Sequence, residues 1–172
     1  MVEPVARTYG MDIEKIRTVK AGKKSQVVIA LDSDEHPTLD DLEEVSKELS
    51  TLFDDAEERG EVSFGAGYTL ELTTPGVALP LTEARHFRRN RGRKVKVGGE
   101  QWRVGPLDAE ETQVALVRAT KKGEEVRVSP VSELSGAVVE IEFNAPPAAE
   151  TELADRAFEE LEAAAAEGKE HK

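Results

Sequence analysis

The 172-residue chain has no cysteine and few aromatic residues, and these two shortages exclude several kinds of chemistry. Without cysteine the chain can form no thiol nucleophile, no thiolate zinc site and no disulfide, which fits a reducing compartment. Aromatic residues make up only 5% of the sequence, so little material exists for stacking the unpaired bases of a nucleic acid.

Long apolar runs are also missing. No segment approaches the ~18 consecutive apolar residues of a membrane span, and the start of the chain, "MVEPVARTYG", lacks an apolar signal core. We therefore expect a soluble cytoplasmic protein that does not associate with membranes. The 38% hydrophobic content suffices for one modest core or two small ones.

Histidine is scarce too, which weakens any enzymatic interpretation. His36, His86 and His171 stand in no recognisable catalytic pattern, and no serine lies in a nucleophile elbow. The run "DSDEHPTLDDLE" has the spacing of a calcium loop, but Pro37 stands where that loop requires glycine. Helix capping explains its acids more simply. We predict no catalytic residue, no metal site and no cofactor.

The net charge of -12 is distributed unevenly along the chain. Residues 1–84 hold 8 basic and 18 acidic side chains, and residues 144–172 hold 3 and 8. Residues 85–143 hold 12 basic and 9 acidic side chains, which makes the middle of the chain a basic island. Because the chain is acidic overall, nonspecific binding to nucleic acid is disfavoured for the chain as a whole.

The first half of the chain has the pattern of a small α+β unit. "IEKIRTV" and "SQVVIALD" are rich in β-branched residues and flank "KAGKK", which indicates a hairpin. Thr38 followed by Asp41 is typical of a helix N-terminus. The apolar stripe of that helix is formed by Leu39, Leu42, Val45, Leu49 and Leu52. With a short helix before residue 10 and a strand from Tyr68, the predicted order is helix, two strands, helix, strand.

A proline-rich stretch then separates two kinds of pattern. Pro75 and Gly76 suit the central positions of a type II turn, because proline presets the first φ and glycine tolerates the positive second one. Pro80 bars the strand from continuing. Thr82 can then cap a short helix that runs to about Asn90.

The second half has short strands with an apolar period of two. Five are predicted in about fifty residues, which favours a small barrel; their sequences are "RKVKV", "QWRVG", "TQVALVR", "EEVRVS" and "AVVEIEF". Trp102 and Phe143 are interpreted as barrel core. After the linker "NAPPAAE", residues 151–168 predict a weakly anchored helix.

The basic island begins on the predicted helix. Arg85, Arg88 and Arg89 are three and four residues apart, so they share one helical face. With their continuation into the first barrel strand, the candidate site comprises Arg85, Arg88, Arg89, Arg91, Lys94 and Lys96. Two interpretations remain open: neutralisation by the chain's own acidic first half, or contact with the phosphates of folded RNA. The planar fork of arginine suits phosphate pairing, which favours the second.

The acidic regions also admit two interpretations. Charge runs are usually solvated faces, and residues 54–61 fit that description. The remaining acids of the predicted helix lie outside its apolar stripe and form one acidic surface, composed of Asp40, Glu43, Glu44 and Glu48. An acidic surface beside a basic one suits a ribonucleoprotein partner, with a basic protein on one side and rRNA on the other.

The order of these parts resembles the family of the ribosome maturation factor RimP. The resemblance rests on "EVSKELSTLFD", "YTLELTTPGVALPL" and "HFRRNRGRKVKV" followed by a small barrel, and it is strongest over residues 68–96. The motif positions there are Tyr68, Glu71, Pro75, Gly76, Pro80, Leu81, Phe87 and Gly92. Ala78 and Leu79 stand where the family usually has an acidic residue and an arginine, so the role of that charge pair is not carried over.

The resemblance implies an N-terminal α+β domain related to KH folds and the α-lytic protease prodomain, followed by an SH3/Sm-like barrel. It also implies a non-enzymatic factor that assembles the small ribosomal subunit, binding rRNA and the basic S-twelve ribosomal protein. We accordingly expect domains over 1–89 and 90–144, an acidic, partly helical or disordered tail over 145–172, and a monomer. The alternative is a general RNA-binding adaptor or riboregulator that acts off the ribosome. Charge opposition suggests that the tail docks on the basic island.

Overall fold

The computed structural model describes residues 1–65, 67–77 and 79–170, which fall into two compact units. The first unit is Met1–Gly76 and the second is Val77–Lys172. Both contain helices and antiparallel strands, so the α+β fold class predicted from the sequence is confirmed. No helix in the described ranges is both long and apolar enough to cross a membrane.

The first unit packs two helices on a three-stranded sheet. Its elements are α1 (Val2–Thr8), β1 (Asp12–Ala21), β2 (Lys24–Asp32), α2 (Leu39–Glu58) and β3 (Tyr68–Thr73). The strand order is β1-β2-β3: β1 and β2 form an antiparallel hairpin, and β3 runs parallel to β2. A parallel pair requires a crossover, which α2 supplies. The predicted order of helices and strands is confirmed.

The helix α2 forms where its cap and its apolar stripe specify it. The Asp41 amide donates to the Thr38 hydroxyl at 3.1 Å, and the Thr38 amide donates to the Asp41 carboxylate at 2.9 Å. Hydrogen bonding to Thr38 lowers the pKa of Asp41. Leu42, Val45 and Leu49 are buried as predicted, but Leu39 is 86% exposed. The 20-residue α2 spans ~30 Å, about the length of the ten-residue β1 and longer than the six-residue β3.

The second unit is a five-stranded antiparallel sheet with three helices. The elements are α3 (Ala84–Arg89), β4 (Lys94–Val97), β5 (Glu100–Leu107), β6 (Gln113–Thr120), β7 (Gly123–Pro130), a 3-10 turn (Val131–Glu133), β8 (Val138–Val139), α4 (Ala148–Ala154) and α5 (Phe158–Glu170). The strand order is β7-β6-β5-β4-β8. All five predicted strands are present in this order along the chain.

The core of this sheet contains Trp102 but not Phe143. Trp102 is 6% exposed and packs with Phe87 and Val104, whereas Phe143 is 93% exposed. The expected last strand over 137–143 is therefore wrong in length: β8 pairs with β4 only through Val138 and Val139. Gly105 is required on β5, because a Cβ there would lie 2.7 Å from the Ala115 carbonyl oxygen.

The link between the units differs from its prediction. A type II turn requires a positive φ at its third residue, and Gly76 does not have one. Residues 74–76 are assigned to no helix, strand or turn. The compact units divide after Gly76 rather than after residue 89, because α3 places Phe87 in the core of the second unit.

The C-terminal helices are anchored more firmly than their sequence suggests. Leu153, Phe158 and Leu161 are buried against Ala115 and Val117, which face outward from β6. The helices α4 and α5 therefore cover one face of the sheet and belong to the second compact unit, whereas the sequence predicted an acidic, partly helical or disordered tail over 145–172. The sequence did not indicate this role, because α5 is rich in glutamate and only Phe158 and Leu161 among its apolar residues are large.

Candidate nucleic-acid interface

The helix α3 presents the predicted arginines on the second unit. Its first turn is closed by His86, whose Nδ1 accepts hydrogen bonds from the amides of Thr82 and Glu83, both at 3.0 Å. Two amide donors at Nδ1 require that this nitrogen carries no proton. Thr82 was predicted as the cap, but Glu83 occupies the N-cap position, and Thr82 contributes its amide instead.

Three of the predicted arginines contact neighbouring groups of their own chain. The Arg88 guanidinium donates to both carboxylate oxygens of Glu111, at 2.7 and 2.8 Å, and Arg85 lies 3.9 Å from Glu83. Arg91 donates to the carbonyl oxygens of Ala154 at 2.9 Å and Arg156 at 3.0 Å. Glu111, Ala154 and Arg156 belong to the second unit, and Glu83 directly precedes α3.

The Arg91 contacts bear on the suggested docking of the tail. The C-terminal helices meet the basic island at the junction of α4 and α5, where Arg91 binds backbone carbonyls. The contact is therefore made by main-chain oxygens at helix ends, which attract cations. The acidic side chains of the tail are not the groups that Arg91 contacts.

The two lysines of the site lie on β4 and differ in their surroundings. Lys96 is exposed, and no ion pair of its side chain is recorded among the described residues. Lys94 is half-buried, and its charge contributes to lowering the pKa of Glu142. Arg89, the last residue of α3, is also half-buried. The six predicted residues thus occupy one short stretch of the second unit, from α3 to β4.

Arg103 was missed by sequence reasoning and is the most enclosed charge of this region. Its side chain is 1% exposed and donates to the Glu142 carboxylate at 2.9 and 2.7 Å and to the Gly92 carbonyl at 2.9 Å. Glu150 on α4 lies 3.3 Å from its Nε. The hydrogen bonds from Arg103 lower the pKa of Glu142. In the sequence it is one polar residue of a strand, and its carboxylate partners lie 39 and 47 residues further along the chain.

The motif residues of the link are divided between the units. In the first unit, the Tyr68 hydroxyl donates to Asp54 at 2.8 Å, and burial raises the pKa of Tyr68 to about 12. Glu71 accepts from Gln26 at 3.2 Å. Pro75 is half-buried at the end of that unit, followed by the exposed Gly76.

The remaining motif residues belong to the second unit. Leu81 is buried, and its amide donates to the Ala137 carbonyl at 2.7 Å, directly after the exposed Pro80. Phe87 is fully buried. Gly92 has a φ of +86°. Ala78, the first departure from the family pattern, lies outside the described residues.

The predicted acidic face lies on α2. All four acids are exposed there: Asp40, Glu43, Glu44 and Glu48. Glu43 pairs with Lys47 at 3.3 Å. A hydrogen bond to Glu48 raises the pKa of Tyr9.

The calcium-like run does not gather its acids. The Asp32 carboxylate accepts from the Ser33 amide at 2.9 Å and lies 3.2 Å from His36 Nδ1, while Asp40 and Glu43 are on α2. Over the part of the chain that the structure describes, no cluster of three or more His, Asp or Glu could hold a metal ion. His171 lies outside the described residues.

Fold and site together define a two-unit α+β protein whose charged residues are concentrated on its surface. A family model described as the RimP N-terminal domain matches residues 1–78. The ribosome maturation factor RimP of Corynebacterium diphtheriae is 50% identical, over 92% of this chain and 88% of its own. Those of Corynebacterium aurimucosum and Corynebacterium kroppenstedtii are 46% and 42% identical, over 92% and 93% of this chain and 88% and 93% of theirs. The chain belongs to the RimP family of ribosome maturation factors.

Proposed function

We propose that the chain takes part in maturation of the small ribosomal subunit in the cytoplasm by binding rRNA and a basic ribosomal protein, without chemical turnover. The observation that carries this proposal is the run of arginine and lysine side chains from α3 to β4, on a member of a ribosome maturation family. The proposed rRNA contacts are Arg85, Arg88, Arg89, Arg91, Lys94 and Lys96. Cations on a rigid helix and strand fix phosphates without reading sequence.

The ion pairs of this region are compatible with phosphate binding. Arg88 and Glu111 are both more than a third exposed, and such pairs contribute only about 0–1 kcal/mol. Exchanging Glu111 for a phosphate therefore costs little, and arginine binds both groups with the same fork. Arg91 is different, because a phosphate would have to replace two carbonyls of the C-terminal helices.

The other parts of the proposal concern the partner protein and the domains. The acidic face of α2 has the charge to receive a basic protein, for which the S-twelve ribosomal protein is the candidate. We propose that the first unit is KH-like, that the second is an SH3/Sm-like barrel, and that the chain acts as a monomer. Pro75, Gly76 and Pro80 are proposed to restrict the link, since proline fixes φ.

The rRNA contacts are tested by reversing two arginine charges. Arg85→Glu combined with Arg89→Glu should abolish most cosedimentation of the full chain with free small ribosomal subunits, because two phosphate contacts become repulsive. The matched control is Arg7→Glu with Arg59→Glu, which makes the same change in net charge at two ion-paired residues of the first unit. Trp102, the only tryptophan, reports through its fluorescence whether the second unit is folded.

Equal cosedimentation of the double variant, the control and the wild type would contradict the rRNA contacts. Gradient fractionation of a lysate tests the role itself. A maturation factor should travel with free small subunits and be absent from translating ribosomes. A distribution over other RNA would instead support a riboregulator.

A further inference from the structure

The basic residues of the first unit fall into two groups that differ in their partners. Three are scattered, and each forms an ion pair with a nearby acid: Arg7 with Glu3, Lys47 with Glu43, and Arg59 with Glu61, at 3.1, 3.3 and 3.1 Å. The other five are concentrated in the ten residues from 15 to 24, where no acid occurs. These five are named here the basic hairpin, and they are Lys15, Arg17, Lys20, Lys23 and Lys24.

The basic hairpin is exposed to solvent. All five residues are exposed, and no ion pair of any of them is recorded within the described ranges. Every residue of β1 from 15 to 20 is exposed, including Ile16 at 50%. A strand normally buries one of its two faces. This part of β1 therefore extends beyond the layer of helices.

The register of the hairpin places three cations on the same face. Lys15 pairs with Ala30, Arg17 with Val28, and Lys24 with residue 21. Side chains alternate between faces, so these three share the face opposite Val27, Ile29 and Leu31, which pack against the helices. Lys15 and Arg17 are two residues apart on one strand, which separates their attachment points by ~6.7 Å. Three cations therefore lie on the face of the sheet opposite the helices, which is called the open face. Glu71 on β3 shares this face, because Val28 pairs with both Arg17 and Glu71.

We propose that the basic hairpin is a second RNA-binding surface, which holds the phosphodiester backbone on the open face of the sheet. Its ligand is a polyanion, because five cations in ten residues repel each other unless an anion lies among them. Residues 12–32 contain no aromatic side chain on which an unpaired base could stack. Because base stacking is excluded there, we expect this surface to contact the backbone of a duplex, independently of base sequence.

Edge protection is the structural role that this proposal must be distinguished from. The strand β1 is an edge of its sheet, and lysines on an edge strand prevent pairing with other chains. That role predicts association between copies of the chain when the charges are removed, and no change in RNA affinity. RNA binding predicts the reverse, so one set of variants separates the two.

The test removes three cations of the shared face from the full chain. The variant is Lys15→Gln with Arg17→Gln and Lys24→Gln, and the control is Arg7→Gln with Lys47→Gln and Arg59→Gln. Both lose three positive charges from the same unit, but the control loses only charges that are already paired. Binding to a fluorescein-labelled RNA duplex of about 20 base pairs is measured by anisotropy over a range of salt concentrations.

We expect the hairpin variant to bind about tenfold more weakly, with a salt dependence reduced by about two to three phosphate contacts. The control should change the salt dependence by less than one contact. Equal losses in both variants would overturn the proposal, because net charge alone would then explain the binding. Unchanged affinity with increased light scattering would also overturn it, in favour of edge protection. Should the triple variant fold poorly, Lys15→Gln with Lys24→Gln, both from the shared face, carries the same test against Arg7→Gln with Lys47→Gln.

A separate arm distinguishes RNA from other polyanions. Vesicles of phosphatidylglycerol and phosphatidylcholine in equal parts are offered to the wild type, and binding to vesicles but not to the duplex would overturn the RNA assignment. Loss of subunit binding in the Arg85 and Arg89 variant, with no effect of the hairpin variant on RNA, would refute the hairpin alone. The proposed function would then stand without it.

Discussion

The two cationic regions of this molecule differ in what their side chains contact. On the second unit, Arg88 binds Glu111, Arg91 binds two carbonyls, and Arg103 beneath them is enclosed by two carboxylates. In the first unit, the basic hairpin has no recorded ion pair in the described residues. The comparison teaches that a density of positive charge in the sequence does not by itself identify a binding surface. The partners that the fold supplies decide how much of that charge remains for a ligand.

The two cationic regions also differ in their proportion of arginine and lysine. The stretch from residue 85 to 96 has five arginines and two lysines, whereas the basic hairpin has four lysines and one arginine. A guanidinium donates five hydrogen bonds in a fixed plane, so it can bind the groups of its own chain and fix a fold. An ammonium group is a strongly hydrated point charge on a flexible stem, which suits a solvated surface.

The largest expected effect is on the free energy of unfolding, which should depend strongly on the buried Arg103 and little on the exposed Lys96. Arg103→Met should destabilise the second unit by about 3 kcal/mol, because it leaves the carboxylates of Glu142 and Glu150 without their cation. The control Lys96→Met, on the neighbouring strand, should change stability by no more than about 0.5 kcal/mol. Urea unfolding followed by Trp102 fluorescence measures both. A loss of similar size in the two variants would contradict the distinction.

The next effect is a dependence of stability on pH. Hydrogen bonds from Arg103 hold the pKa of Glu142 below its ordinary value of 4.5. A carboxyl whose pKa is lower in the folded state stabilises that state above the unfolded pKa and loses this contribution as pH falls through the folded pKa. The second unit should therefore lose stability below about pH 4.5. Glu142→Gln should flatten this loss, and parallel curves for wild type and variant would show that another acid is responsible.

The smallest expected effect comes from removing one recorded partner of Arg88. Glu111→Gln removes one carboxylate that competes with phosphate for Arg88, and this adds up to about one phosphate contact to the salt dependence. We expect binding to the RNA duplex to strengthen about two- to threefold at low salt. Glu124→Gln, an exposed acid on β7, is the control for the change in net charge. Equal effects would mean that the local pair does not limit binding.

Local patterns predicted the elements of the fold well. The capping box at Thr38 and Asp41, the β-branched hairpin and the period-two strands are all encoded within a few residues of one another, so they could be recognised directly. The link was predicted less well, because Pro75 and Gly76 permit a type II turn but do not require it. The tail was predicted to be weakly anchored because it is rich in acidic residues. The burial of Leu153, Phe158 and Leu161 depends on a sheet face that residues of β6 form, and the sequence of the tail does not reveal that face.

The candidate sites were harder to predict for the same reason. Arginine spacing indicated a shared face on α3, but the partners of Arg88 and Arg91 lie 23 or more residues away. The basic hairpin could have been found from the sequence, since ten residues without an acid stand out in an acidic half. Averaging charge over residues 1–84 concealed it. Which cations remain without a recorded partner became visible only from the fold.

The partners of Arg103 also set an order of events during synthesis. The first unit has all its strands and helices within its own 76 residues, so it can fold while the rest of the chain is being made. The second unit cannot be completed in this way, because Arg103 awaits Glu150, forty-seven residues later in the chain. At ordinary rates of translation this interval is roughly 2–9 s. During it, an unmatched arginine and the outward face of β6 are open to the surroundings of the nascent chain.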